Sequence, residues 1–555
     1  MISWAKLTSR IRTKLSVSRC CPGCLSGSPR RIGSRFARRD SKAFPQPASA
    51  GGCWAGYPCR KTGSLVKVPS NLVAPEASPV PLALLKNLTL SVTGRGFSMG
   101  ANLVFIFVSA RHFTKQEVAV LALAGILAML MDLIKGLGLG TCLLKQLPKL
   151  PRQGSADAAT LVLSFLFYSM LLPTLVTLAM VVAARQVCLY FLDGGNYVAA
   201  FRLGLWGAMF TVWSNSNMNV LLAREEFTSV ALQSVVTSLA QKLLPVLAAL
   251  WLAWDLEKFL LWSAAFSAAA FFITLAPLRG LLMTAGGRIL RPREFWPESR
   301  HYYYTSLVRY GATQLDQVFV AALFTPATLA VYFMLRRLYS MLVLLINSLL
   351  EILIPDLSRQ AGLEPDAARG RTRQLWKLAL LLGAASMALL AGNGEWLVTH
   401  LLGSAYSGDP VLVTLFCVSA FAYLLFILVQ VDLLLFHHPR LLFRAAAVAS
   451  LFNLGAIPAL GWLLGVKGLP LAMTLSCLAC LEFARRATDS SCWRVDRALL
   501  AAGFIAAAGT LTLATPALGA EIPATLLVNI PIVLFLLAMA YKTRNYLSVA
   551  FRKST

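Results

Sequence analysis

From about Pro81 onward, apolar blocks of roughly twenty residues alternate with short polar connections. Twenty helical residues rise about 30 Å, the thickness of a bilayer's hydrocarbon core. In that medium every backbone N–H and C=O must be bonded within the protein, which leaves helices and closed barrels as spanning structures. Barrel strands would show alternating segments of about ten residues, and the chain has none. The blocks predict fourteen helical spans, at about 88–110, 116–136, 157–183, 199–222, 228–253, 259–279, 303–324, 329–354, 376–401, 411–435, 444–464, 468–485, 498–515 and 523–541. Composition agrees, with 57% of the 555 residues hydrophobic and 14% charged. A soluble domain carries about 25% charged residues.

The chain is nonetheless strongly basic, with 51 Lys+Arg against 24 Asp+Glu and a formal charge of +27. The position of those cations explains them. Connections after even-numbered spans carry Lys145, Lys149, Arg152, Arg224, Arg279, Arg288, Arg291, Arg293 and Arg300. They continue with Arg359, Arg369, Arg371, Arg373, Lys377, Arg440, Arg444, Arg485, Arg486, Arg494 and Arg497. The tail adds Lys542, Arg544, Arg552 and Lys553, whereas connections after odd spans hold little more than Arg111, Lys115, Arg185, Arg202, Lys258 and Lys467. The positive-inside rule then places both termini in the cytoplasm. Loop cations beside anionic lipid account for the charge without nucleic acid as a partner.

Residues 1–80 are different in kind. They hold fourteen basic residues, with Asp40 and Glu76 as their acids, and no apolar run of spanning length. Three readings are open: an acid-poor organelle transit peptide, a disordered basic arm, or sequence upstream of the true start, which the lack of periodicity favours. Cys21 and Cys24 form a Cys-x-x-Cys pair without a second pair at zinc spacing, so no metal is expected there.

An internal repeat divides the remainder. Phe113-Thr114 opens span 2 and Phe324-Thr325 opens span 8, each followed by Ala-Val five residues later. After span 3 comes Gly194-Gly-Asn-Tyr197, and after span 9 comes Gly403-Ser-Ala-Tyr406. A displacement of six spans keeps the orientation, as in parallel repeats about the membrane normal. The expected architecture is an all-α polytopic membrane protein. Two six-helix bundles, residues 81–285 and 286–487, precede an extra helix pair and tail at 488–555.

Several stretches resemble one family in order along the chain. Leu85-Lys-Asn87 with Gly94-Arg95, and Asp132-Leu-Ile-Lys-Gly136-Leu-Gly138-Leu-Gly140, resemble its first two spans. Tyr310, Asp316, Ala330-Val-Tyr332 and Ile354-Pro355-Asp-Leu-Ser358 are similar to the opening of its second half. Gly403-Ser-Ala-Tyr406 and Gly465-Val-Lys-Gly468-Leu-Pro-Leu-Ala472 resemble later landmarks. The family is that of the polysaccharide-biosynthesis flippases, the Wzx-like exporters of the MOP superfamily, and the likeness runs from about Leu82 to the C-terminus. It implies a flippase that carries a polyprenyl-pyrophosphate-linked oligosaccharide from the cytoplasmic to the outer leaflet by alternating access. It also implies a multi-pass location in a bacterial inner membrane, with membrane lipids, a polysaccharide polymerase and glycosyltransferases as partners.

Ionisable side chains at membrane depth are costly and face a cavity or a partner. Those here are Arg95, Asp132, Lys135, Lys242, Arg309, Asp316, Arg336, Arg337, Glu351, Asp432 and Glu482, of which Asp132, Lys135, Glu351 and Glu482 are near enough to span ends to snorkel. Arg95, Arg309, Arg336 and Arg337 lie in or near spans 1, 7 and 8, which the resemblance places around a central cavity. Guanidinium groups hold phosphate as forks, so these four are the candidate pyrophosphate ligands. Asp316, Asp432 and Asp132 are candidates for ion coupling. Arg309 and Asp316 are seven residues apart on one helical face, so an Asp316–Arg309 salt bridge explains the first equally well. Arg336 shares a face with Tyr332, four residues earlier. Tyr302, Tyr303, Tyr304, Trp206 and Trp213 could stack on sugars or form an interfacial belt.

No phosphate-binding Gly-x-x-x-x-Gly-Lys-Ser/Thr loop, zinc-protease motif or nucleophile elbow occurs, and no cofactor, metal or catalytic residue is expected. Two alternatives remain beside the flippase: a multidrug or small-cation antiporter of the same superfamily, which favours an acidic cavity, and a membrane glycosyltransferase or polymerase, which needs large external loops bearing catalytic acids.

Overall fold

A computed structural model describes residues 80–147, 156–192, 194–224, 226–284, 288–406, 409–437 and 439–488. Among these residues all secondary structure is helical, and a helix covers each of the first twelve predicted spans. The thirteenth and fourteenth, and the leader through residue 79, lie outside the described residues.

The amino-terminal set comprises α1 (Val80–His112), α2 (Lys115–Ile134), the short α3 (Leu139–Gln146), α4 (Ala156–Val182), α5 (Ala184–Phe191) and α6 (Val198–Ala223). It continues through α7 (Phe227–Ser238), α8 (Leu244–Leu252), α9 (Leu256–Leu275) and α10 (Arg279–Thr284). The carboxy-terminal set is α11 (Pro292–Leu323), α12 (Pro326–Leu363), α13 (Pro365–Gly392), α14 (Gly394–Leu402), α15 (Pro410–Phe436), α16 (Pro439–Leu464) and α17 (Gly468–Ala487). Within the first set α6 packs on α2, α4 and α9, and α1 on α7; within the second, α16 packs on α11 and α17, and α15 on α12, α13 and α17. The sets meet where α12 crosses α1 and α2, where α14 touches α1, and where α11 rests on α3 and the turn before it.

Six stretches are long and apolar enough to cross a membrane by length and composition: 115–144, 158–182, 227–252, 256–278, 410–436 and 440–487. Large apolar side chains such as Leu232, Phe272, Ile273, Leu451 and Trp462 are exposed on the outside of the helices. In water such a surface would aggregate, whereas in lipid it is the expected one.

Several helices outrun their predicted spans. Helix α11 begins at Pro292, not near residue 303; α12 ends at Leu363, not 354; and α13 starts at Pro365, not 376. Hydropathy marks the part of a helix in hydrocarbon, but helical hydrogen bonds are internal and continue into water where the sequence allows. The 32 residues of α11 rise about 48 Å, well beyond the ~30 Å core. Its start is set by Pro292 and by Glu294, whose Oε2 accepts from Arg291 N–H at 3.1 Å.

Two local features recur at positions six predicted spans apart. Thr114 caps α2 by accepting from Glu117 N–H at 3.3 Å, and Thr325 caps α12 by accepting from Thr328 N–H at 3.4 Å. A short helix follows a break at the end of predicted span 3 and within predicted span 9. Ala183 separates α4 from α5, and Asn393 separates α13 from α14. Each short helix is followed by the Gly-to-Tyr segment, Gly194–Tyr197 or Gly403–Tyr406, and then by a long helix.

Two irregular backbones shape the interior. Gly136, Leu137 and Gly138 all have positive φ (+67°, +48° and +83°), turning the chain between α2 and α3. A Cβ on Gly138 would lie 2.5 Å from the Ser299 carbonyl oxygen of α11, so this turn is seated directly on the second helix set. Residues Leu239–Leu243 form one π turn between α7 and α8. Pro245 follows, and its missing N–H leaves the Gln241 carbonyl without the usual helical donor, a position where a widened turn is favoured.

Candidate functional site

On α12, Arg336 and Arg337 are consecutive, so they leave the helix about 100° apart and serve different neighbours. Arg336 turns toward α11, where it forms an ion pair with Asp316 and donates to the Thr313 carbonyl and to Gln314 Oε1, the last at 3.2 Å. Tyr332, one turn earlier on α12, donates its hydroxyl to the same Asp316 Oδ2 at 2.5 Å. Asp316 and Tyr332 are each 1% exposed. Gln317 Nε2 donates to Gln314 Oε1 at 2.8 Å and reaches Met129 Sδ of α2 at 3.7 Å, which carries the polar cluster to the edge of the amino-terminal set.

The expected Asp316–Arg309 pairing is therefore replaced. Arg309 shares the α11 face but stands two turns away, about 10 Å along the axis, and its side chain is exposed. Arg336 approaches from the neighbouring helix at the level of Asp316. The Tyr332/Arg336 spacing of one turn was the sequence signal for this arrangement.

Arg337 points the other way, across the junction. Its Nε donates to Asn102 Oδ1 of α1 at 3.1 Å, and its guanidinium lies 4.5 Å from the Phe105 ring centroid and 5.5 Å from that of Phe333. Among the described residues no carboxylate pairs with it. Lys242, carried by the π turn, is near enough for its charge and that of Arg337 to act on each other. Arg95 is half-buried on α1, seven residues before Asn102 and so on the same helical stripe.

The other candidates lie apart from this junction. Asp132 pairs with Lys135 at the end of α2 and is about half exposed, as a snorkelling residue would be. Asp432 is fully buried near the end of α15, with His437 Nε2 3.8 Å from its Oδ2. Burial and the nearby Arg369 charge push the His437 imidazole below its ordinary range. Trp213 donates to the Met170 carbonyl at 3.2 Å and packs on Phe210 and Phe271, which is a structural role. Tyr303 and Tyr304 cluster with Trp296 near the start of α11. Cys142, Cys188, Cys417, Cys477 and Cys480 are buried free thiols that pack as small apolar groups. Among the described residues no group of three or more His, Cys, Asp or Glu could hold a metal ion.

Asn102 and the π turn were missed by the sequence reading. Asn102 is neutral and so escaped a census of charges, although its seven-residue spacing from Arg95 was available.

Residues 108–409, more than half the chain, match the sequence profile of the family described as polysaccharide biosynthesis protein. The chain belongs to that family. No curated protein matches it. The fold of this polysaccharide biosynthesis protein is shared by solved membrane transporters at low identity. The lipid II flippase MurJ in an inward closed conformation superposes with a TM-score of 0.60 at 10% identity, covering 82% of this chain and 99% of that one. The Vibrio cholerae MATE transporter VcmN gives 0.51 at 13% identity over 74% and 97% of the two chains. An outward-facing multidrug resistance MATE transporter of the MOP superfamily gives 0.52 at 14% identity over 78% and 96%. The family member is thus a multi-pass membrane protein whose fold is the one these solved proteins share.

Proposed function

We propose that this protein is a flippase that moves a polyprenyl-pyrophosphate-linked oligosaccharide from the cytoplasmic to the outer leaflet of a bacterial inner membrane, by rocking the two helix sets against each other. The observation that carries this reading is the cationic junction between the sets in a member of a polysaccharide-biosynthesis family. Arg337 is held there by Asn102 and two aromatic faces instead of by a carboxylate. A guanidinium so placed is already desolvated and oriented, and a pyrophosphate can take its remaining donors as a fork. Arg95 and Arg309 each stand seven residues before a member of the junction, Asn102 on α1 and Asp316 on α11, on the cytoplasmic side of it if both termini face the cytoplasm, where an entering headgroup would first meet charge.

Arg336 has a different part in this proposal. Paired with Asp316, it fixes α12 against α11 and sets the direction in which Arg337 points. Asp316 and Asp432 are the carboxylates proposed for ion coupling; Asp132, at the surface and paired with Lys135, is the weaker third. A polysaccharide polymerase and glycosyltransferases would supply and consume the cargo.

The test is a deletion strain complemented with wild-type or Arg337→Ala protein at matched membrane levels. Wild type should restore surface polysaccharide, and Arg337→Ala should leave lipid-linked units accumulating on the cytoplasmic side. Full restoration by the variant would refute the role given to Arg337. Unchanged polysaccharide in the deletion strain itself would refute the function.

A further inference from the structure

Lys242 has no part in the transport reading, yet the amino-terminal set carries it to the same junction. It sits in the π turn between α7 and α8. Pro245, Val246 and Ala249, three, four and seven residues later, are buried, whereas Leu239, Leu244 and Leu247 are exposed. Residues at the first set of spacings share a helical face with Lys242, so it projects from the inner face and not toward lipid. Helix α1, which packs against the π turn, bears Asn102, the acceptor for Arg337.

The depths agree as well. Lys242 lies ten residues before the end of α8 at Leu252, Asn102 ten before the end of α1 at His112, and Arg337 eleven after the start of α12 at Pro326. These three helix ends belong to one end of the molecule. His112 Nε2 is 3.0 Å from the Trp254 carbonyl oxygen just beyond α8, and Lys115 and Val331 line one cavity. At 1.5 Å per residue each of the three groups is about 15 Å from that end, halfway through a ~30 Å hydrocarbon core.

Lys242 and Arg337 thus come to the junction from opposite helix sets at one level, and their charges act on each other. Neither residue is fully buried. Among the described residues no carboxylate pairs with either. Arg336, by contrast, already has Asp316, and Arg95 is two turns before Asn102, about 10 Å away along α1. Two cations at membrane depth without an acid are costly, and two negative charges between them remove that cost. A diphosphate joined to a prenyl chain at one end and a sugar at the other carries two, one on each phosphate. The corresponding single-phosphate diester carries one and leaves a cation uncompensated.

We propose that Lys242 and Arg337, one from each helix set, hold the two phosphates of the carrier's diphosphate between them, and that this pair selects a diphosphate-linked over a monophosphate-linked glycolipid. The identity of the carrier rests on the flippase reading; the selection by charge count is a property of the pair. The diphosphate relieves the repulsion between the two cations and draws the sets together at this level.

The experiment is isothermal titration of the full-length protein in detergent with two synthetic probes, citronellyl diphosphate-linked N-acetylglucosamine and its citronellyl monophosphate-linked counterpart. Wild type should bind the diphosphate probe about ten-fold more tightly or better, the scale of one charge-assisted contact. Lys242→Met should cut that preference to about three-fold or less while still binding the monophosphate probe. Lys242→Glu, which gives Arg337 a counter-charge, should bind neither probe and unfold at a higher temperature than Lys242→Met. Wild type binding neither probe or both equally, a full preference retained by Lys242→Met, or a Lys242→Glu midpoint at or below that of Lys242→Met would overturn the proposal. Flipping of lipid-linked oligosaccharide, measured separately, distinguishes the two readings. Flipping without a diphosphate preference removes the role of Lys242 alone, and a preference without flipping removes the transport reading and leaves the pair.

Discussion

In the amino-terminal helix set the buried polar contacts join neutral groups. Gln233 Nε2 donates to the Ser214 carbonyl at 2.7 Å, Asn217 Nδ2 to Thr274 Oγ1 at 3.1 Å, and the Ser216 and Ser234 hydroxyls donate to carbonyls one turn back. In the carboxy-terminal set charge occupies the interior: Asp316 with Arg336 and Tyr332, and Asp432 near His437. Both sets are helical throughout their described residues, so secondary structure does not impose the difference. A neutral hydrogen bond has one useful state, whereas a buried ion pair is strongly dependent on both partners being present. Among the described residues, the fully buried carboxylates Asp316 and Asp432 both belong to the carboxy-terminal set.

The largest expected effect follows from that contrast. Asp316→Ala leaves the Arg336 guanidinium buried without its counter-charge and should cost about 3–5 kcal/mol, while Gln233→Ala should cost about 1 kcal/mol. Thermal unfolding in detergent micelles compares them. The double variant Asp316→Leu with Arg336→Met should regain most of the loss, because replacing a whole buried pair by apolar groups is often close to neutral. Equal destabilisation by the two single variants would erase the proposed distinction.

A smaller effect tests where the sets are joined. Gly138→Ala must hold an alanine at a φ of +83° and drive its Cβ toward the Ser299 carbonyl, which should cost about 1–3 kcal/mol. Gly370→Ala, on α13 with nothing near the added Cβ, is the matched control and should be neutral or slightly stabilising. Below that come the paired caps. Thr114→Ala and Thr325→Ala should each cost about 1 kcal/mol, and near-equality would support a shared origin of the two turns. Loss at Thr114 alone would break the local equivalence, since Thr114 also receives support from Glu117, whose Oε2 accepts from Thr114 N–H at 2.8 Å.

The smallest effect is on pH dependence. His437 is 3.8 Å from Asp432, beyond hydrogen-bond reach, so burial and Arg369 set the direction and hold its imidazole below 6.5. The unfolded chain then takes up the proton first. Stability from this group should be full above 6.5 and decline as pH falls through 6.5 toward the lowered value. His437→Gln should flatten that decline in a thermal-midpoint profile, and an unchanged profile would remove His437 as its source.

Much of this was legible in the sequence because the membrane enforces it. Spans and loops are written in hydropathy, and the turns at Phe113-Thr114 and Phe324-Thr325 reappear as caps. The helix ends at Pro292, Leu363 and Pro365 were not legible, since outside hydrocarbon nothing in hydropathy distinguishes a helix from a loop. In the site, charge identified the residues but not their partners. Arg309 and Arg336 are both compatible with Asp316 by sequence, and only the crossing of α11 and α12 selects Arg336. Asn102 carries no charge, and its importance comes from the Arg337 guanidinium that three-dimensional packing brings to it.

The central claim concerns cargo, and purified protein reconstituted in liposomes with a fluorescent polyprenyl-pyrophosphate-linked oligosaccharide tests it most directly, with accessibility of the sugar to an external lectin as the readout. Wild-type protein should equilibrate the lipid between leaflets, and Arg337→Ala should slow this at least ten-fold, about 1.4 kcal/mol or more on the barrier. Failure of the wild type to move the lipid, with uptake of a small organic cation by the same liposomes, would contradict the account.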